Sequence, residues 1–201
     1  MYTDSFGRAP EWWQWAISGV MIAGGITLIA TGVGSIVGGA LICAGVNSII
    51  GSYISEALGG SSLAGWAGGM CAGIIGGFGA GFAGSLLVAA SEMVGAACIK
   101  TLALSLATSF VSGSLGTIAG ETVSASIDGE QLNGKELYTS AIIGGSLNMF
   151  AGLSAGIGSA ITTMPFISET TKVVANLFAT NWSVISESIV DIANASISLF
   201  N

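Results

Sequence analysis

Five glycines stand four residues apart in one stretch of this sequence, at Gly65, Gly69, Gly73, Gly77 and Gly81, and Gly68, Ala72, Gly76, Ala80 and Gly84 form a second row beside them. Residues four apart share one face of an α-helix, so a helix built here has two adjacent faces with almost no side chains. Such faces let another backbone approach closely, which is the small-xxx-small packing device of helices in membranes. In water each glycine in a helix interior costs about 1 kcal/mol relative to alanine. In a bilayer the helix is enforced, because unsatisfied backbone groups have no water to bond. The ladder Gly65–Gly81 therefore predicts close helix packing or oligomerisation, and weaker versions recur at Gly34/Gly38, Gly116/Gly120 and Gly152/Gly156/Ala160.

The charges set the scale of the elements. Only 7% of the residues are charged and 52% are apolar, against roughly 25% charged in an ordinary soluble domain. No charge falls within residues 12–55, 57–91, 101–120 or 137–168. A spanning helix needs about 20 predominantly apolar residues, so the first run is long enough for two and each of the others for one. Three classes remain: a compact helical bundle, a membrane protein, or a chain that converts between the two.

Turn signals divide these runs. Residues 16–31 and 35–55 predict a helical hairpin about Thr31-Gly32-Val33-Gly34. Leu58-Gly59-Gly60-Ser61-Ser62 is the next breaker, with Ser61 or Ser62 as N-cap of a helix over about 63–90. Residues 93–113 predict a fourth helix, 114–127 a shorter fifth and 137–162 a sixth, stopped near Met164-Pro165. Over 173–200, Val174, Phe178, Trp182, Ile185, Ile189, Ile192 and Leu199 share a face opposite Asn176, Ser183, Glu187, Asp191 and Asn194. That is an amphipathic helix by period. Its polar face is acidic and lacks the cations of helices drawn to anionic lipid, and both packing on the bundle and lying in a membrane interface stay open. The expected fold is all-α, with about six to seven glycine-rich hydrophobic helices and hairpins and a C-terminal amphipathic helix. Residues 12–127 form the glycine-zipper region, 128–136 a solvated loop, and 137–201 the hydrophobic helix plus the amphipathic one.

Composition and motifs exclude most chemistry. Four basic residues against eleven acidic ones give a net charge of −7, too few cations to neutralise a phosphate backbone, so nucleic acid is not a partner. With no histidine, Ser-His and Cys-His catalysis and the commonest zinc sites are excluded. Cys43, Cys71 and Cys98 lie inside apolar runs and read as small buried hydrophobes. Gly79-Ala80-Gly81-Phe82-Ala83-Gly84 matches GxGxxG, but it lacks the preceding strand and the acidic residue about 20 positions on that a dinucleotide site needs. Asp128, Glu130 and Glu136 read as the charges of a solvated loop, and Lys100 as a helix-end lysine that snorkels to an interface. No catalytic, cofactor or metal residue is assigned, and the expectation is a protein that is not an enzyme. Glu56, Glu92 and Glu121 stand at the ends of apolar runs, where they either line a pore and favour cations or simply mark helix ends. Trp12, Trp13 and Trp15 fit an interfacial aromatic anchor or a core plug.

The first residues read Met1-Tyr2-Thr3-Asp4-Ser5-Phe6-Gly7-Arg8. They are not a signal peptide, having neither a basic n-region nor a short apolar segment. This stretch resembles the aromatic-x-Asp-Pro-x-Gly motif that closes the core of Rhs (YD-repeat) polymorphic toxins; Asp4 and Gly7 match, and Ser5 stands in the proline position. The resemblance implies that residues 1–11 are a remnant of that core or its linker and that the rest is the C-terminal effector, exported as part of a larger protein. It also implies a cognate immunity protein and the parent shell as partners. The expected function is a membrane-inserting, pore-forming or depolarising toxin used against competing cells. It would act on the lipid bilayer of the target, with self-oligomerisation along the ladder. The alternatives are a non-catalytic structural or translocation module or plug, and a small integral membrane protein.

Overall fold

The computed structural model describes residues 10–31 and 34–163, which form five helices: α1 (Trp12–Ala30), α2 (Ser35–Ala57), α3 (Ser62–Ser91), α4 (Ala96–Asp128) and α5 (Gly134–Thr163). Among the described residues there is no strand, and the fold is all-α. The expected amphipathic helix over 173–200 and the motif at Tyr2 to Arg8 lie outside the described residues.

Local chemistry sets the helix ends. The Gln14 side chain turns back to accept the Glu11 backbone N–H at 2.7 Å, closing the first turn of α1. Ser61 is the N-cap of α3, its Oγ accepting the Ala64 N–H at 3.1 Å. Gly129, at φ +71, takes the left-handed conformation that ends α4. Two expected boundaries differ. The fourth and fifth predicted helices are one 33-residue helix, α4. Gly113, where a stop was expected, is instead packed against α5, and Gly116, of the weaker pair Gly116/Gly120, is packed against α3. Of the hydrophilic stretch 128–136, only 129–133 connects helices, since Asp128 ends α4 and Gly134 already begins α5.

Successive helices run antiparallel, and α3 is the central one. Its first glycine row lies against α2. A methyl group on Gly65 or Gly69 would overlap the carbonyls of Gly51 and Asn47. One on Gly73 would lie 2.6 Å from the Cys43 carbonyl oxygen, and one on Gly77 2.7 Å from Ala40 Cα. Gly81 ends the row against Ile36. The second row meets α4, where a methyl on Gly68 would lie 2.7 Å from the Gly120 carbonyl oxygen, and α5 lies beside it, with Asn148 reaching Gly76. α1 lies on the outside of α2, with Gly25 against Gly38.

The core is inverted relative to a water-soluble protein, whose interior collects Leu, Ile, Val and Phe. Here Ala40, Ala44, Ala64, Ala80, Ala83 and Ala151 are buried among glycines, together with Gln14, Ser18, Asn47, Ser48, Ser52, Ser105, Ser109 and Asn148. Phe82, Ile99, Leu104, Val111, Leu115 and Phe150 point outward. α1, α2, α3 and α4 are each long and apolar enough to cross a membrane.

Candidate functional site

All five helices place one terminus at the same end of the bundle, and the charge gathers there. Glu11, Glu56, Glu121, Asp128, Glu130 and Glu136 lie at or near this end with Lys135. The opposite end carries Glu92, exposed at the C-cap of α3, and Lys100, exposed on α4. Of the three glutamates at run boundaries, Glu56 and Glu121 therefore share the acidic end and Glu92 stands apart, and of the three only Glu121 lines the cavity described below.

Two sets of polar contacts tie the acidic end together. In the first, Ser18 Oγ meets Ser48 Oγ at 2.7 Å and accepts the Trp66 indole N–H at 3.0 Å. Ser62 Oγ donates to Gln14 Oε1 at 3.1 Å and pairs with Ser52 Oγ at 2.6 Å. These bonds fasten the start of α1 to α2 and α3. In the second, Asp128 accepts the backbone N–H of Ser61 at 3.0 Å, and its other oxygen accepts the Ser61 hydroxyl. The carboxylate thus sits at the positive N-terminus of α3 and staples the 58–61 turn to the end of α4. It is a structural cap as well as a surface charge.

The aromatic cluster divides. Trp12 is 81% exposed and Trp15 is also exposed, edge-on to Tyr53 at 6.5 Å, as an interfacial belt requires. Trp13 is half-buried, packs edge-on against Trp66 at 5.2 Å and donates its N–H to the Glu11 carboxylate at 2.7 Å. The GxGxxG stretch lies mid-way along α3, with Gly79 pressed against Ser112. A phosphate-binding loop cannot form inside such a helix. Cys43 is buried against Gly77, and Cys71 and Cys98 are half-buried; none of the three is in a disulfide. Among the described residues no group of His, Cys, Asp and Glu has the arrangement of a metal site.

Between α2, α3, α4 and α5 lies a cavity of about 860 Å³. It reaches from Leu58, Asp128, Glu130 and Glu136 at the acidic end to Asn47, Gly76, Gly113 and Asn148 in the middle of the bundle. Twelve residues of α5 separate Glu136 from Asn148, a depth of about 18 Å along the helix. Glycines form much of the wall, so backbone borders the space directly. The Ser140 hydroxyl hydrogen-bonds the Glu121 carboxylate, and Glu136 lies close by. At the deep end Asn148 Nδ2 donates to the Ser109 carbonyl at 2.9 Å and to Ser112 Oγ at 3.0 Å.

Sequence reasoning pointed to Glu121 and to the glycines, and missed Gln14, Asn47, Trp66 and Asn148. A signal was present. Asn47 and Asn148 are amides inside charge-free runs of membrane length, where a polar side chain is costly unless it faces a partner or a cavity.

No protein-family model, curated protein or solved structure matches this chain.

Proposed function

We infer that this chain inserts into a lipid bilayer as a helical bundle and depolarises the membrane it enters, acting as the pore-forming effector of a polymorphic toxin. The observation that carries this reading is the inverted side-chain distribution. Large apolar residues such as Phe82, Ile99, Leu104 and Leu115 face outward, while serines, amides and glycines face inward. In water so extensive an apolar surface drives aggregation. In lipid it is already in its own solvent, and small and polar residues hold the helices together. Trp12 and Trp15 sit at the acidic end, at the level of a lipid headgroup layer. The toxin context rests on the resemblance of residues 2–8 to the Rhs core terminus. It adds a parent shell that shields the apolar surface before delivery, an immunity protein in the producing cell, and action without a catalytic residue.

The test is inducible expression in a bacterium, with and without export, while membrane potential is followed. Rapid depolarisation on export, with dye leakage from liposomes by the purified chain, is the expected result. A second reading is supported by the occupancy of the ladder: α2 fills the Gly65–Gly81 row within the chain, as in a small integral membrane protein that needs no second copy. Stable residence in the membrane fraction with an unchanged potential would establish that reading and sink the toxin.

A further inference from the structure

The two ends of the bundle differ in what they would ask a lipid bilayer to accept. Helices α1–α4 form two hairpins, whose connections 31–34 and 92–95 both lie at the end away from the carboxylates. The first connection carries no charge; the second carries Glu92, with Lys100 in the first turns of α4, and these two charges cancel. Among the described residues, the other end holds Glu11, Glu56, Glu121, Asp128, Glu130 and Glu136 against Lys135 alone. The ends also differ in their other side chains. At the far end Val94 is 92% exposed, and Met93 and Ile99 are exposed beside it. The hydroxyls there are committed to their own helices: Thr31 Oγ1 donates to the Thr27 carbonyl at 3.0 Å, Ser91 Oγ to Val88 at 2.6 Å and Thr101 Oγ1 to Ala97 at 3.0 Å. Polar groups bonded internally are the ones that lipid tolerates. The exposed rings of Trp12, Trp15, Tyr53 and Tyr138 stand near the acidic end instead, and such amphipathic rings favour the headgroup layer.

We propose that the bundle enters a lipid bilayer with the 31–34 and 92–95 connections leading, while the 58–61 turn and the 129–133 connection stay on the side of entry. The proposal rests on the insertion argued above and adds its direction. Entry by the hairpin tips carries only Glu92 and Lys100 across the hydrocarbon, a net charge of zero. Entry by the other end would carry a cluster of carboxylates across, each of them costly inside the bilayer. The four helices that are long and apolar enough to cross are α1 to α4, and four crossings return the chain to the side of entry at Asp128. There the bonds from Ser61 to Asp128 hold the 58–61 turn and the end of α4 together, and the exposed aromatic rings anchor that end in the headgroup layer.

The test adds the purified full chain to preformed phosphatidylcholine vesicles, which are floated and then treated from outside with a glutamate-specific protease. The expected pattern is cleavage after Glu130 with Glu92 spared until detergent opens the vesicles. Two matched substitutions at exposed aliphatic residues supply a kinetic arm. Val94→Asp puts a net charge on the leading tip and should slow release of entrapped dye on the order of a hundredfold. Leu132→Asp, in the connection left behind, should leave the rate unchanged. Cleavage at Glu92 in intact vesicles, protection of Glu130, or equal slowing by the two substitutions would overturn the direction while insertion itself stands. A chain absent from the floated fraction refutes insertion, and the direction with it. The protease pattern needs no leak, so a chain that inserts without releasing dye is tested all the same.

Discussion

α1 and α3 share much of their chemistry: both are free of charge, both contain several glycines, and both are long enough to cross a membrane. Their places in the bundle are opposite. α3 is surrounded, with α2 along one glycine row and α4 along the other. α1 touches the bundle along one side and leaves Trp12, Trp15, Ile17, Val20 and Ile26 exposed. A methyl group on Gly19 or Gly24 of α1 would meet open space, whereas one on Gly73 of α3 would strike the backbone of α2. Glycine content is therefore not what makes a packing helix. Register is: α3 repeats its small residues every four positions on two rows, while α1 brings only Gly25 into contact and relies on Gln14 and Ser18 as polar pegs.

The largest break in this comparison comes from filling the ladder. Leucine at Gly69, Gly73 and Gly77 together drives three side chains into the α2 backbone. Overpacking costs about 1–3 kcal/mol per site and more against rigid backbone, while a whole domain is stable by only about 5–15 kcal/mol. The triple variant should show no cooperative unfolding by circular dichroism in micelles and should no longer release dye from liposomes; leakage at the wild-type level would mean that the ladder is not needed for activity.

Detaching α1 should do less. Gln14→Ala with Ser18→Ala removes its bonds to Ser48, Ser62 and Trp66 and leaves buried partners unsatisfied, at about 1–3 kcal/mol. The midpoint in a detergent titration should fall by that amount while the contacts between α2 and α3 persist. Proteolysis that still spares residues 12–30 would contradict the pegs. Asp128→Ala, which releases the cap on Ser61, should cost about 1 kcal/mol, read as a lower midpoint with the helical signal retained. The smallest effect should have the opposite sign. Gly24→Ala faces open space and gains helix propensity, stabilising by up to about 1 kcal/mol, while Gly73→Ala destabilises. If both move the midpoint in the same direction, the contrast between the two helices is wrong.

Much of the fold is legible in the sequence. The hairpin about Thr31 to Gly34, the cap at Ser61 and the helix beginning beside it all rest on local signals, and local signals survive folding. The split expected within 96–128 failed because Gly113 read as punctuation when it is a contact point against α5; a glycine that ends a helix and one that admits a neighbour look the same in a sequence. The site was less legible. Glu121 stood out as a charge at the end of an apolar run, but Asn148 became visible only once α5 placed it against Gly76 and Ser109. Asp128 read as one more loop charge until the fold set it beside Ser61, 67 positions away.

The sequence alone determined that the chain is helical, that its helices are long and nearly without charge, and that one of them carries two side-chain-free rows. These follow from spacing and solvation, which act within a few residues or over one helix. Only the tertiary structure decided which backbone fills each row, which end gathers the carboxylates and where the cavity opens. Faces made of glycine and alanine carry no shape or charge that names a partner. Five such helices can be paired in many ways until all of them must pack at once.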